Sequence, residues 1–248
     1  MRRSFIFRVI VIAIIVLFSV DGTASNKTEL SVVTEEWRPF NYTDENGNLV
    51  GRSTVKVKAI LDGLGYQYQI HSYPWVRAMD MAKTDKNTLI YSIFRTAERE
   101  SLYQWVCPLM APVKVYLFHL KNRKDIKLSS LEDAKNYITS VGRKARSHEF
   151  LLEQGFVEGV NLDVTSDPSA ELRKFLAGRV DFLVQSEWEM FESLKAGNRS
   201  IDDVTRSIEV TNINERQACM AFSKNTDKRI VSEVQMALDK YNKKHGLQ

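Results

Sequence analysis

The sequence predicts an α/β protein built as two lobes, on three observations. Strand-like and helix-like segments alternate as β-α-β-α-β, this alternation occurs twice over stretches of similar size, and a last strand and helix are left over to return to the first lobe. With 44 % hydrophobic and 27 % charged residues in 248, the chain can fill one or two cores, which excludes a coiled coil or a disordered tail.

Residues 1–25 read as a signal peptide. Arg2, Arg3 and Arg8 precede an apolar run over 9–18, and Gly22, Thr23, Ala24 and Ser25 supply small residues for cleavage after Ala24 or Ser25. The run is shorter than the ~20 residues a spanning helix needs, so an exported, soluble protein is expected rather than a membrane-anchored one. No cysteine lies near the cleavage site, which removes a lipoprotein anchor. Cleavage leaves 32 basic and 30 acidic residues, a net charge of +2. No basic cluster remains to suggest nucleic acid.

The first alternation opens with a β-branched strand at 29–34, followed by the loop Glu35, Glu36, Trp37, Arg38, Pro39, Phe40. Asp44 to Asn48 is a turn, and a helix over 53–64 stops at Gly65. A strand at 66–71 enters the Tyr73-Pro74-Trp75 loop, a helix covers 76–83, and an apolar strand runs over 88–93. The second alternation starts with a strand at 113–120 and a helix start at 129–133 carrying acidic first-turn residues. It continues with strands at 137–141, 162–165 and 180–184 and helices at 147–154, 169–177 and 187–194. A strand at 218–223 and an amphipathic helix over 227–244 close the chain. Ligands of such sheets sit beyond the carboxyl ends of the strands, and a cleft between two lobes favours small molecules.

Cys107 and Cys219 both survive cleavage and meet an oxidising compartment. Spacing alone gives no pairing geometry, so two free buried thiols are expected with a disulfide left open. His71, His119, His148 and His245 stand in no recognisable relation to the cysteines, and no spaced cluster of metal ligands occurs. Neither a metal nor a cofactor is expected.

The stretch from Tyr73 to Pro108 concentrates the chemistry. A strand ending in Ser92 leads into Arg95, Thr96, Ala97, Glu98 and Arg99, so hydroxyls, free backbone N–H groups and fixed positive charge come together. These groups hold a small carboxylate and do not transform it.

These residues resemble the family 3 extracellular solute-binding proteins, the periplasmic receptors of polar amino-acid ABC transporters. The matching pieces, in the family's order, are Pro39-Phe40-Asn41-Tyr42, Gly47-Asn48-Leu49-Val50-Gly51, Trp75, Arg95-Thr96-Ala97-Glu98-Arg99, Trp105-Val106-Cys107-Pro108, Ser129 with Leu131-Glu132-Asp133, Gly178-Arg179-Val180-Asp181 and Ala221-Phe222-Ser223-Lys224. The resemblance implies the type II periplasmic-binding-protein fold: two mixed sheets flanked by helices, joined by two hinge crossings near 111–114 and 214–217. Lobe 1 then comprises 26–113 with 216–248, and lobe 2 comprises 114–215. Both cysteines would lie close to the hinge, which keeps the disulfide open.

By the same resemblance Arg99 binds a ligand carboxylate, Trp37 and Trp75 sandwich the ligand, and Ser92 and Phe94 contact its polar head, with Phe94 standing where a hydroxyl is common. Ser147 and His148 fall near the family's anion-cradling helix start. Ser186 departs from the family, whose amino-acid binders commonly place an ammonium-binding aspartate there. Either Glu187, Glu35 or Glu36 takes that role, or the ligand has no amine. Arg77 and Arg95 add positive charge nearby, with Arg77 expected on an exposed helix face.

The resemblance thus implies a periplasmic, non-enzymatic, monomeric receptor that captures a small carboxylate-bearing solute, an amino acid or relative, for an inner-membrane ABC permease. A module presenting its solute to a signalling receptor is the alternative, and a dehydratase-like enzyme on the same fold is a third reading, although no acid–base pair stands out.

Overall fold

The structure is a computed structural model, and it describes residues 27–213 and 217–247. The expected signal peptide lies outside the described residues, as do residues 214–216 of the second crossing. Twelve strands are described: β1 (Leu30–Thr34), β2 (Tyr42–Thr43), β3 (Leu49–Val50), β4 (Tyr68–Ser72), β5 (Thr88–Phe94), β6 (Tyr103–Val106), β7 (Val115–Leu120), β8 (Thr139–Gly142), β9 (Leu162–Thr165), β10 (Phe182–Ser186), β11 (Val204–Glu209) and β12 (Ala218–Ser223). The α-helices are α1 (Arg52–Leu64), α2 (Trp75–Thr84), α3 (Ala97–Glu100), α4 (Arg146–Glu153), α5 (Pro168–Leu176), α6 (Glu187–Ala196) and α7 (Lys228–His245).

One five-stranded sheet has the order β4-β1-β5-β12-β6 and the other β11-β7-β10-β8-β9, with β2 and β3 forming a separate hairpin. In the first sheet β4, β1 and β5 are parallel, whereas β12 runs antiparallel to both β5 and β6. In the second, β9, β8 and β10 are parallel and β7 is antiparallel to β10 and β11. The chain passes from the first sheet to the second between β6 and β7 and is back in the first at β12. Both sheets are therefore mixed, as the fold class requires. Ser129 to Asp133 leads into a 3₁₀ turn over Glu132–Asn136 rather than an α-helix.

Strand periodicity builds a core on each face of the first sheet. Leu30 and Val32 of β1 pack with Val57 and Leu61 of α1 and Val234 and Leu238 of α7, while Val33 packs with Ala78 and Ala82 of α2. On β5, Leu89 and Tyr91 face α1 and α7, and Ile90 faces α2. Strict alternation would return Ile93 to the side of Leu89, yet it packs with Ile90. The reason is a bulge: opposite β12 the register jumps from Ile93↔Cys219 to Tyr91↔Met220, leaving Ser92 as the extra residue. In the second sheet Leu117, Val141 and Phe182 pack with Leu151 of α4, and Phe118 and Leu183 pack with Phe175 of α5 and Met190 and Leu194 of α6.

Cys107 and Cys219 are joined as a disulfide, correcting the expectation of two free thiols. Cys107 directly follows β6 and Cys219 lies within its neighbour β12, so sheet pairing brings together residues separated by 112 positions.

Gly51, which ends the β2–β3 hairpin and precedes α1, has φ 114°, and a Cβ there would stand 2.4 Å from the Phe40 carbonyl oxygen. Gly51→Ala is expected to lower stability by about 2–3 kcal/mol, because strain in the left-handed region adds to a backbone clash. Urea unfolding checks this. A loss below about 0.5 kcal/mol would show that the loop shifts freely.

Candidate functional site

A cavity of about 180 Å³ opens between the lobes, lined by residues of both. From the first lobe come Glu35, Glu36 and Trp37 after β1, Trp75 at the start of α2, Ser92 and Phe94 at the end of β5, and Arg99 in α3. From the second come Arg143, Arg146 and Ser147 around the start of α4, Thr165 and Ser166 at the end of β9, Glu171 in α5, and Gln185, Ser186 and Glu189 at the junction of β10 and α6. The carboxyl ends of β1, β5, β8, β9 and β10 all point here, as expected for α/β sheets.

Four contacts hold the lobes together around this space. Lys144, in the left-handed region at φ 57°, presents its carbonyl to the first lobe, where it accepts hydrogen bonds from Trp75 Nε1 at 2.9 Å and Arg99 Nη2 at 2.8 Å. Arg99 Nη2 also donates to Glu149 Oε1 at 2.6 Å, and Nη1 to the Phe94 carbonyl at 3.3 Å. The Trp37 indole hydrogen-bonds Glu189. Outside the cavity, the Arg52 guanidinium lies 4.6 Å from the centre of the Trp188 ring. The described conformation is thus a closed one.

Each residue singled out in the sequence has a definite place. Trp37 packs against Phe40 and Phe94, with ring centres 4.6 and 5.9 Å away. Ser92 owes its position to the bulge and sits at φ 63°, a strained value for a non-glycine residue. Its hydroxyl is buried, faces the cavity and has no hydrogen-bond partner. Arg99 is 3 % exposed and already engaged with three acceptors, one of them a carboxylate of the opposite lobe. Ser147 lines the cavity, whereas His148 is absent from its wall. The Lys144 N–H donates to His148 Nδ1 at 3.1 Å, which leaves Nε2 protonated to donate to Glu158 Oε1 at 2.9 Å. His148 therefore steadies the turn whose carbonyl meets Trp75 and Arg99.

Ser186 is buried and caps α6 in a capping box with Glu189. Of the three glutamates weighed as ammonium partners, Glu187 points out to an ion pair with Arg206, and Glu36 accepts from the Thr43 N–H and hydroxyl at 2.9 and 2.8 Å. Glu35 faces the cavity with no side-chain hydrogen bond or ion pair among the described residues. Arg77 is exposed over the Tyr73 ring, and Arg95 is held by Glu100; neither lines the cavity.

Glu171 and Glu189 are cavity residues that the sequence reading missed. Burial, then the neighbouring Glu189, push the Glu35 carboxyl up to about 8. Glu171 rises to about 8 through burial and then Glu189 and Glu35, and Glu189 to about 7 through burial. The pattern Ser186-x-x-Glu189 was a legible capping signal, and the capping carboxylate turns out to face the cavity.

Two α/β lobes of mixed sheets, closed over a polar cavity at the strand ends, are the architecture of type II periplasmic binding proteins. Residues 30–146 match the family model of bacterial extracellular solute-binding proteins, family 3, which bears out the family recognised from the motifs. No curated protein matches the chain in sequence. Among solved structures, a histidine kinase sensor domain with similarity to periplasmic binding proteins superposes with TM-score 0.78 at 18 % identity, covering 89 % of this chain and 92 % of that one. An ancestral arginine-binding protein bound to arginine gives TM-score 0.76 at 23 % identity, with 90 % and 95 % covered. A Salmonella typhimurium periplasmic binding protein with high arginine specificity gives 0.73 at 12 % identity, with 88 % and 94 % covered. At these identities the likeness establishes the fold. The family and the two arginine-binding neighbours are binding proteins, and family members are extracellular.

Proposed function

We propose that the chain is an exported, monomeric receptor that captures a small solute, an amino acid or relative, by closure of its lobes and hands it to an inner-membrane ABC permease. In this reading lobe 1 is 26–113 with 216–248 and lobe 2 is 114–215, the two moving about the crossings between them. One observation carries the reading: the contacts that hold the lobes shut converge on the residues that line the enclosed cavity, so solute and closure are coupled. A solute stabilises the closed state by as much as it binds that state better than the open one. Arg99 receives the solute carboxylate, with Glu149 giving way to it. Trp37 and Trp75 cover the body of the solute, and Ser92 with second-lobe groups completes its hydrogen bonding.

The second reading is a module that presents its solute to a signalling receptor. It is favoured by the likeness to a histidine kinase sensor domain.

The test is the thermal unfolding of the purified protein against the twenty amino acids, dicarboxylates and small diamines. A true solute at a hundredfold excess over its dissociation constant adds about 2.7 kcal/mol to stability and raises Tm accordingly. Uptake of that solute by cells lacking the protein then separates the readings, since loss of uptake supports import and unchanged uptake supports signalling. A panel without a single shift from the folded protein would sink both.

A further inference from the structure

Three carboxylates from both lobes, Glu35, Glu171 and Glu189, line one cavity, and none of the arginines in the same wall forms an ion pair with them. The side chains of Glu35 and Glu171 make no hydrogen bond or ion pair among the described residues, and the Glu189 carboxylate accepts only from the Trp37 indole and the Ser186 N–H. The arginines nearby do not balance them. Arg99 is paired with Glu149, and Arg146 is held by Glu153 and the Ile213 carbonyl. Arg143 is exposed.

The remaining groups around the carboxylates are Glu36 and Arg99 beside Glu35, and Asp163 and Lys174 beside Glu171. Lys174 gives both of its close contacts to Asp163, at 2.9 and 2.6 Å. Two further polar atoms in the same wall are buried without partners, the Gln185 Oε1 acceptor and the hydroxyl of Ser92, which is 3 % exposed. A wall rich in unmatched acceptors requires a ligand rich in donors, since an unpaired buried acceptor costs about 1–3 kcal/mol and more when charged. Among the described residues no group has the arrangement to hold a metal ion, so the donor is organic.

We propose that the solute carries a net positive charge, with an alkylammonium or guanidinium group additional to any α-ammonium, which sits among Glu35, Glu171 and Glu189 and is the determinant of specificity. The inference rests on the small-solute receptor reading and names its ligand class. It also fixes a coupling to protons. In the closed cleft burial raises all three carboxyls, Glu35 and Glu171 to about 8 and Glu189 to about 7, and a cation set among them favours the ionised form, so a cation that binds this closed form releases protons. Affinity then rises with pH between about 6 and 8.5 and falls on acidification, by about tenfold per pH unit for each proton released.

The experiment titrates the purified protein calorimetrically with arginine against citrulline and lysine against norleucine, pairs alike in shape and different in charge, with glutamate and putrescine as further probes. At least one cationic probe is expected to bind 100-fold or more tighter than its neutral partner, or, for putrescine, than every neutral probe. Its heat should differ between phosphate and Tris buffers by an amount that reports proton release. Glu35→Gln and Glu171→Gln should each cut that release and weaken the cation at least tenfold while leaving the fold intact by circular dichroism. Neutral or acidic probes binding as tightly as cationic ones, or cation binding with no proton released, would overturn the inference and leave the receptor reading standing. Failure of every probe, in this set and in the wider thermal panel, would remove the receptor reading and the inference with it.

Discussion

Arg99→Ala is expected to weaken binding of the cognate solute at least 100-fold and to lower the stability of the empty protein by about 2–3 kcal/mol. The two effects have separate origins. Arg99 is almost fully buried and links α3 to the Phe94 carbonyl and, across the cleft, to the Lys144 carbonyl and Glu149. Removing it strands the Glu149 carboxylate, one of whose oxygens is already buried without a partner. Breaking a buried pair costs about 3–5 kcal/mol, and the smaller figure is expected because the Glu149 side chain keeps 23 % exposure. Glu149→Gln in the Arg99→Ala background should therefore restore most of the stability but none of the affinity. Urea midpoints of the empty variants test the first statement, and calorimetric titration tests the second. Near-wild-type affinity in Arg99→Ala would mean that Arg99 only holds the lobes and that no ligand carboxylate meets it.

Much of the fold was legible because it follows from periodicity. The runs at Leu30–Thr34, Thr88–Phe94 and Ala218–Ser223 are nearly continuous in apolar residues, since the sheet that holds them is covered on both faces. Edge strands do not announce themselves in this way. Val204–Glu209 has only one buried residue, and Tyr103–Val106 follows so closely on the Arg99 turn that its four residues read as loop. The site was legible on the first-lobe side, where Trp37, Trp75, Ser92 and Arg99 belong to ordered motifs. On the second-lobe side it was not. Glu171 and Glu189 lie in the first turns of amphipathic helices, where a carboxylate ordinarily satisfies helix N–H groups or faces water, and only the opposing lobe turns that face into a cavity wall. Reading the bulge at Ser92 likewise required knowing that β12 lies beside β5.

Replacing both Cys107 and Cys219 by serine is expected to lower global stability by about 4–5 kcal/mol while leaving solute affinity within twofold. The bridge spans 112 residues, a separation for which loop-closure entropy in the unfolded chain gives about 4.7 kcal/mol. The native pairing it reinforces does not depend on it. Met220 stays opposite Val106 through the ladder, the Leu109 N–H donates to the Ala218 carbonyl at 2.9 Å, and Gln235 of α7 clasps the backbone N–H and carbonyl of Cys107, both at 2.8 Å. With these contacts retained, the loss falls on the unfolded state, which gains the freedom to let the chain ends of the first lobe drift apart. The geometry adds a second consequence. The whole second sheet lies between the two cysteines, so in the oxidised protein it can open without separating the strands that flank it. In the serine variant, loosening of the second lobe propagates into β6 and β12. Hydrogen exchange should accordingly show the amides of β6 and β12 losing protection in the serine variant more than those of β1 and β4. Uniform loss of protection across the first sheet, or a stability change below about 1 kcal/mol, would show that the crossings are held by packing alone.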